Sequence, residues 1–146
     1  MKKREIKTAL EALKKIHMTR IEDKSLRNHI ITIHLALLKE QRKYEADAAD
    51  LEETHMGPFS EQREQIGRLQ RQLMAEKDTK KREELASEIN GFVEVNNAWD
   101  AFNRDLARME REEVATNTIP QEKFLEEIQK QDFDLGQIEA LFPLFE

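Results

Sequence analysis

The chain is 146 residues long with a net charge of −6; it is 37% charged and 38% hydrophobic, with 4 Gly, 3 Pro and no Cys. The lack of cysteine excludes disulfides, thiolate nucleophiles and cysteine zinc sites, and no apolar run approaches the ~20 residues that a membrane span needs. So few glycines and prolines leave few places to turn, which implies an all-α chain of a handful of long helices.

Met1 to Arg4 has the charge of a signal-peptide start, but Glu5, Lys7 and Glu11 follow where an apolar segment would stand, so a cytoplasmic protein is expected. Ile6, Leu10, Leu13 and Ile16 recur at steps of three and four, which predicts a first amphipathic helix from about Lys3 to His17. A break follows near residues 18 to 24. Thr19 and Glu22 have capping-box spacing there, and Asp23 and Ser25 offer alternative caps. A long helix from about Lys24 to Thr54 carries Ile30, Leu37, Tyr44 and Leu51 every seven residues, a coiled-coil-like seam. Ile31, Leu35 and Leu38 widen its apolar stripe, so this half needs cover on two sides, the first helix supplying one.

Gly57-Pro58 reads as the turn of an antiparallel helical hairpin, with Ser60 capping a return helix that bears Ile66, Leu69 and Leu73. The charged stretch between Leu73 and Leu85 interrupts the apolar pattern, which implies either a break near Asp78-Thr79 or a helix that leaves the seam. Pairs such as Glu11/Lys15, Glu64/Arg68, Glu76/Lys80, Asp100/Arg104 and Glu126/Lys130 have ion-pair spacing along the helices. Leu85, Ile89 and Phe92 resume the stripe until Asn90-Gly91 and Asn96-Asn97, residues that favour turns.

From Ala98 to about Glu112, Trp99, Phe102, Leu106 and Met109 form another apolar face, and Val114 to Ile119 reads as a short extended segment before Pro120. Pro120 suits the first turn of a helix with Phe124, Leu125 and Ile128. Asp134 suits the cap of a last short helix through Leu135, Ile138 and Leu141. The organisation expected is a hairpin region over 1–95 and a C-terminal region over 96–146, together one structural domain.

Charge is polarised. Residues 1–45 hold 12 Lys and Arg against 6 Asp and Glu, and the remainder holds 12 against 24. Such a chain can fold its acidic part onto its basic part or stack head to tail with another copy. Nucleic-acid binding by the basic third is disfavoured, because Glu5, Glu11, Glu22, Asp23 and Glu40 dilute the positive field and few aromatics are interleaved.

The stretch N-x-x-W-D-A-F-N-R-D-L from Asn96, then E-E-V, T-I-P-x-x-K-F and D-L-G-Q-I-E-A-L-F-P-L-F-E to Glu146 resembles a family of small, uncharacterised phage and prophage proteins. The resemblance covers roughly Asn96 to Glu146, with looser agreement over Thr19 to Leu51. Such proteins open with a short basic segment and a long helix and close on a leucine-rich ending. This chain departs from them in its long charged middle, about Ser60 to Ile89. The resemblance implies a phage or mobile-element origin and brings no catalytic residue with it.

No catalytic, cofactor-binding or metal-binding set emerges from the residues themselves. His29 and His34 lie five apart, about 140° around a helix, and cannot chelate as an i, i+4 pair would. Carboxylate neighbours such as Asp47/Asp50 and Glu83/Glu84/Glu88 arise from composition alone in a chain with 30 acids. The residues singled out for interaction are Leu35 and Leu38 on the long helix and Leu141, Phe142, Leu144 and Phe145 in an apolar tail that must dock somewhere. The function expected is that of a non-enzymatic interaction protein, self-associating or acting as an adaptor or assembly factor for phage-encoded proteins, without cofactor, nucleic acid or membrane. The alternative is a small acidic inhibitor of a host protein, such as one that binds nucleic acid.

Overall fold

The computed structural model describes residues 1–145; the Glu146 that closes the family-like ending lies outside them. The chain is 79% helical and has no strand among the described residues, so the all-α expectation holds. Among the described residues seven α-helices follow in order: α1 (Lys3–Lys14), α2 (Lys24–Met56), α3 (Ser60–Ala75), α4 (Thr79–Asn90), α5 (Val93–Glu110), α6 (Gln121–Ile128) and α7 (Leu135–Ala140). They group into two units, Met1–Ala46 with Met109–Glu146, and Asp47–Arg108.

In the first unit, α1 buries Ile6, Ala9, Leu10, Ala12 and Leu13, as the three-and-four spacing requires. These residues share one core with Ile16, Ile21, Leu26, Ile30, Ile33 and Leu37 of the break and α2, and with Ile119, Phe124, Ile128, Leu141 and Leu144 from the far end of the chain. Each such large side chain contributes about 1.5–3 kcal/mol when fully covered. The break before α2 is a 3-10 turn at Met18–Arg20. Its cap is Asp23, whose Oδ1 accepts the Leu26 N–H at 3.0 Å. Thr19 and Glu22 do not form the expected capping box, because Thr19 is already inside the 3-10 turn.

Ion pairs join the two ends of the chain inside this unit. The N-terminal ammonium lies 3.1 Å from Glu113, Lys3 Nζ 2.6 Å from Glu112, Lys130 Nζ 3.4 Å from Glu22 and Lys123 Nζ 3.8 Å from Asp23. The basic start is thus folded against the acidic C-terminal part. Backbone bonds reinforce the pairing: Lys3 N donates to Glu112 O at 3.0 Å and Val114 N to Met1 O at 2.7 Å. His17 N donates to Gln131 Oε1, and Gln131 Nε2 donates back to His17 O. The five helix-spaced ion pairs do not form among the described residues; Lys130, for example, reaches Glu127 and Glu22 rather than Glu126.

The second unit contains the hairpin, with its reversal not at Gly57-Pro58 but at the break expected near Asp78-Thr79. Gly57–Phe59 form a single 3-10 turn in which Met56 and Ser60 keep helical torsions, so the chain bends there without an extended residue. Pro58 sits in the first 3-10 positions, where its fixed φ suits helical continuation. Ser60 is accordingly the first residue of α3 and not its cap. The reversal lies at Glu76–Asp78, where Glu76 and Asp78 are both extended, with ψ of 133° and 121°.

Side chains build that tip. Glu76 Oε1 accepts from the backbone N–H groups of Lys77 and Asp78, Asp78 Oδ1 accepts from Lys80 N, and Arg82 Nη1 donates to the carbonyls of Leu73 and Glu76. Helix α4 then packs back along α3. Helix α5 continues the return: the Arg63 guanidinium stands 5.0 Å over the Trp99 ring, and His55 Nε2 meets Asp105 Oδ2 at 2.8 Å. Asn96-Asn97, expected to interrupt this arm, are exposed residues inside α5, whose opposite face buries Val95 and Phe102.

Candidate functional site

The residues expected to mediate interaction separate cleanly in the structure. In the C-terminal segment Leu141 and Leu144 are fully buried in the first unit's core, and Phe145 is half-buried with its ring 5.4 Å from that of Phe124. Ile119 N donates to Leu144 O at 2.6 Å, which anchors the backbone of the segment as well. Phe142 alone faces outward, 60% exposed. The segment is a closing strap of its own core.

Leu38 is half-buried and packs against the core, while Leu35 is 59% exposed and Ile31, one turn earlier, is 43% exposed. Their neighbours on α2 explain the difference. Ile30, Ile33 and Leu37 take the inward face and share the core with α1 and the C-terminal segment, whereas Ile31 and Leu35 stand outside it. Between α1 and α2 the two side chains border a groove of about 250 Å³ lined also by Leu13, Ile16, Met18 and Ile30. Lys14 and His34 complete the lining, so its only charged or titratable groups are cationic or neutral. Burial, followed by the nearby Lys14 charge, holds His34 below its ordinary pKa, so it is neutral at pH 7.

The frame of this groove is also cationic. Lys24, Ile31, Leu35 and Arg42 are spaced by seven, four and seven residues, which places all four within about 20° of one line along α2. Lys24, Lys39 and Arg42 are exposed. Among the described residues Lys14, Lys24, Lys39 and Arg42 have no ion pair or hydrogen bond, unlike Lys3, Lys123 and Lys130 of the same unit. The sequence reading found Leu35 and missed this frame. The signal was present as a cation one heptad to either side of an apolar pair.

The histidines are dispersed. His17 bonds Gln131 through its backbone, His29 Nε2 contacts Thr118 O, His34 lines the groove, and His55 pairs with Asp105. Among the described residues no three His, Asp or Glu side chains converge as a metal site, and no helix is long and apolar enough to cross a membrane. No family model, curated protein or solved structure matches the chain.

Proposed function

We propose that this chain is a non-enzymatic interaction protein of phage or prophage type, an adaptor or assembly factor that acts in the host cytoplasm through the outer face of α2. The observation that carries the reading is the exposure of Ile31 and Leu35 beside a preformed groove, on a helix that buries Ile30, Ile33 and Leu37 on its inward face. Apolar side chains left outside a well-formed core are a docking signature, because nothing in the fold gains from their exposure. The phage assignment rests on the family-like C-terminal stretch from Asn96. Against the acidic-inhibitor alternative, Glu112 and Glu113 of the acidic part already face cations of their own chain.

The test is site-specific photocrosslinking in cells that express the full chain. A photoreactive residue at Leu35 is expected to give a discrete protein adduct, and the same group at exposed Glu83 in the second unit is expected to give none. The same adducts from both positions, or none from Leu35, would overturn the reading.

A further inference from the structure

We infer that the α2 groove takes an acidic amphipathic helix of another protein, one that sets two apolar side chains on Ile31 and Leu35 and carboxylates on Lys24 and Arg42. The inference rests on the proposed docking role of this face and names the chemistry of its occupant. Charge complementarity carries it. The line Lys24–Ile31–Leu35–Arg42 presents an apolar pair with a cation at each end, and exposed Lys39 and Lys14 flank it. None of these four cations has an intramolecular partner among the described residues. Of the nearby acids, Asp23 before Lys24 is engaged by Lys123 and the Leu26 N–H, Glu40 stands on the opposite side of α2 from the line, and Glu45 lies three residues beyond Arg42.

Symmetry argues against a second copy of this chain on the same face. In a two-fold antiparallel pairing centred between Ile31 and Leu35, Lys24 of one copy opposes Arg42 of the other, twice over; a parallel pairing opposes each cation to itself. Either arrangement gathers like charges around only two apolar side chains per copy. An acidic helix reverses that sign at both ends. The eighteen steps from Lys24 to Arg42 span ~27 Å, so the complementary helix needs its outer carboxylates about five turns apart. The recess above Leu13, Ile16 and Met18 further suits side chains inserted from a helix over the flat contact of a lipid surface.

The experiment is a fluorescence-anisotropy titration of the full-length chain with two synthetic helices. Both carry two leucines one turn apart; one has glutamates seven residues outside each leucine, and the other has lysines there. The glutamate helix is expected to bind at least about tenfold more tightly in low salt, with the preference shrinking as salt rises. Lys24→Glu with Arg42→Glu is expected to invert the preference, and Leu35→Glu to abolish binding of both helices while circular dichroism stays unchanged. Equal binding of the two helices, both lost in Leu35→Glu, would overturn the acidic occupant and leave the docking role standing. Binding of neither helix would also overturn it, as would association of the chain with anionic phospholipid vesicles that Leu35→Glu abolishes. A concentration-dependent dimer in sedimentation, dispersed by Leu35→Glu, would assign the face to a second copy.

Discussion

The hydroxyl of Tyr44 donates a 3.0 Å hydrogen bond to Glu110 Oε1, joining residues 66 positions apart in sequence. Burial and then the Glu110 carboxylate push the phenol up to about 12. A folded pKa above the unfolded value of about 10 stabilises the protonated form, so this contribution is complete below pH 10 and is lost as pH rises toward 12. Tyr44 is the only tyrosine, so ultraviolet absorbance follows it alone. The expected result is one ionisation near pH 12 in the folded protein, moving to the ordinary range in denaturant. In Glu110→Gln the midpoint falls, because the carboxylate charge is gone while burial persists.

The C-terminal segment divides into two buried anchors and one exposed ring. Leu144→Ala is expected to destabilise the chain by about 2–5 kcal/mol through lost burial and the cavity left behind. Phe142→Ser, two residues away, is expected to change stability by no more than about 0.5 kcal/mol. Urea denaturation followed by circular dichroism measures both, and deletion of residues 141–146 should resemble Leu144→Ala or exceed it.

The units differ in how much they bury. Sixteen residues form the buried core of the first unit, whereas the buried hydrophobic side chains of Asp47–Arg108 are Met56, Val95 and Phe102. Helices α3 and α4 pack together, and their apolar residues Ile66, Leu69, Leu73, Leu85 and Ile89 are only half-buried. Sparse burial lowers the free energy of local opening. Native-state hydrogen exchange is therefore expected to show amides of α3 and α4 exchanging well before those of α1 and the first turns of α2. Equal protection of both sets would contradict this.

Periodicity was informative wherever a helix lies on a single core. The spacing of Ile6, Leu10, Leu13 and Ile16 identified the buried face of α1, and Asp134 forms the expected cap, accepting from Gln137 N at 2.8 Å. The heptad seam on α2 was less simple: Ile30 and Leu37 are buried in the first unit, but Tyr44 and Leu51 are half-buried. A repeat in one helix does not say whether one partner covers its whole length. Gly57-Pro58 misled for a local reason, since a Gly-Pro pair is compatible both with a reversal and with 3-10 continuation. The lapse of the apolar pattern did mark the break near Asp78-Thr79, but the bonds by which Glu76, Asp78 and Arg82 build the reversal there do not show in a hydropathy pattern. Asn96-Asn97 yielded to the apolar face opposite them. At the candidate site, Leu35 was legible as a surplus apolar residue, but its place outside the core is a tertiary fact.

That the outer face of α2 serves a partner and not the fold is tested most directly by comparing Leu35→Glu with Leu37→Ala in urea denaturation. The two leucines sit two residues apart with exposures of 59% and 1%. The account predicts that Leu35→Glu stays within about 0.5 kcal/mol of the wild type while Leu37→Ala loses about 2–5 kcal/mol. A loss in Leu35→Glu as large as that in Leu37→Ala would make Leu35 a structural residue and contradict the docking face.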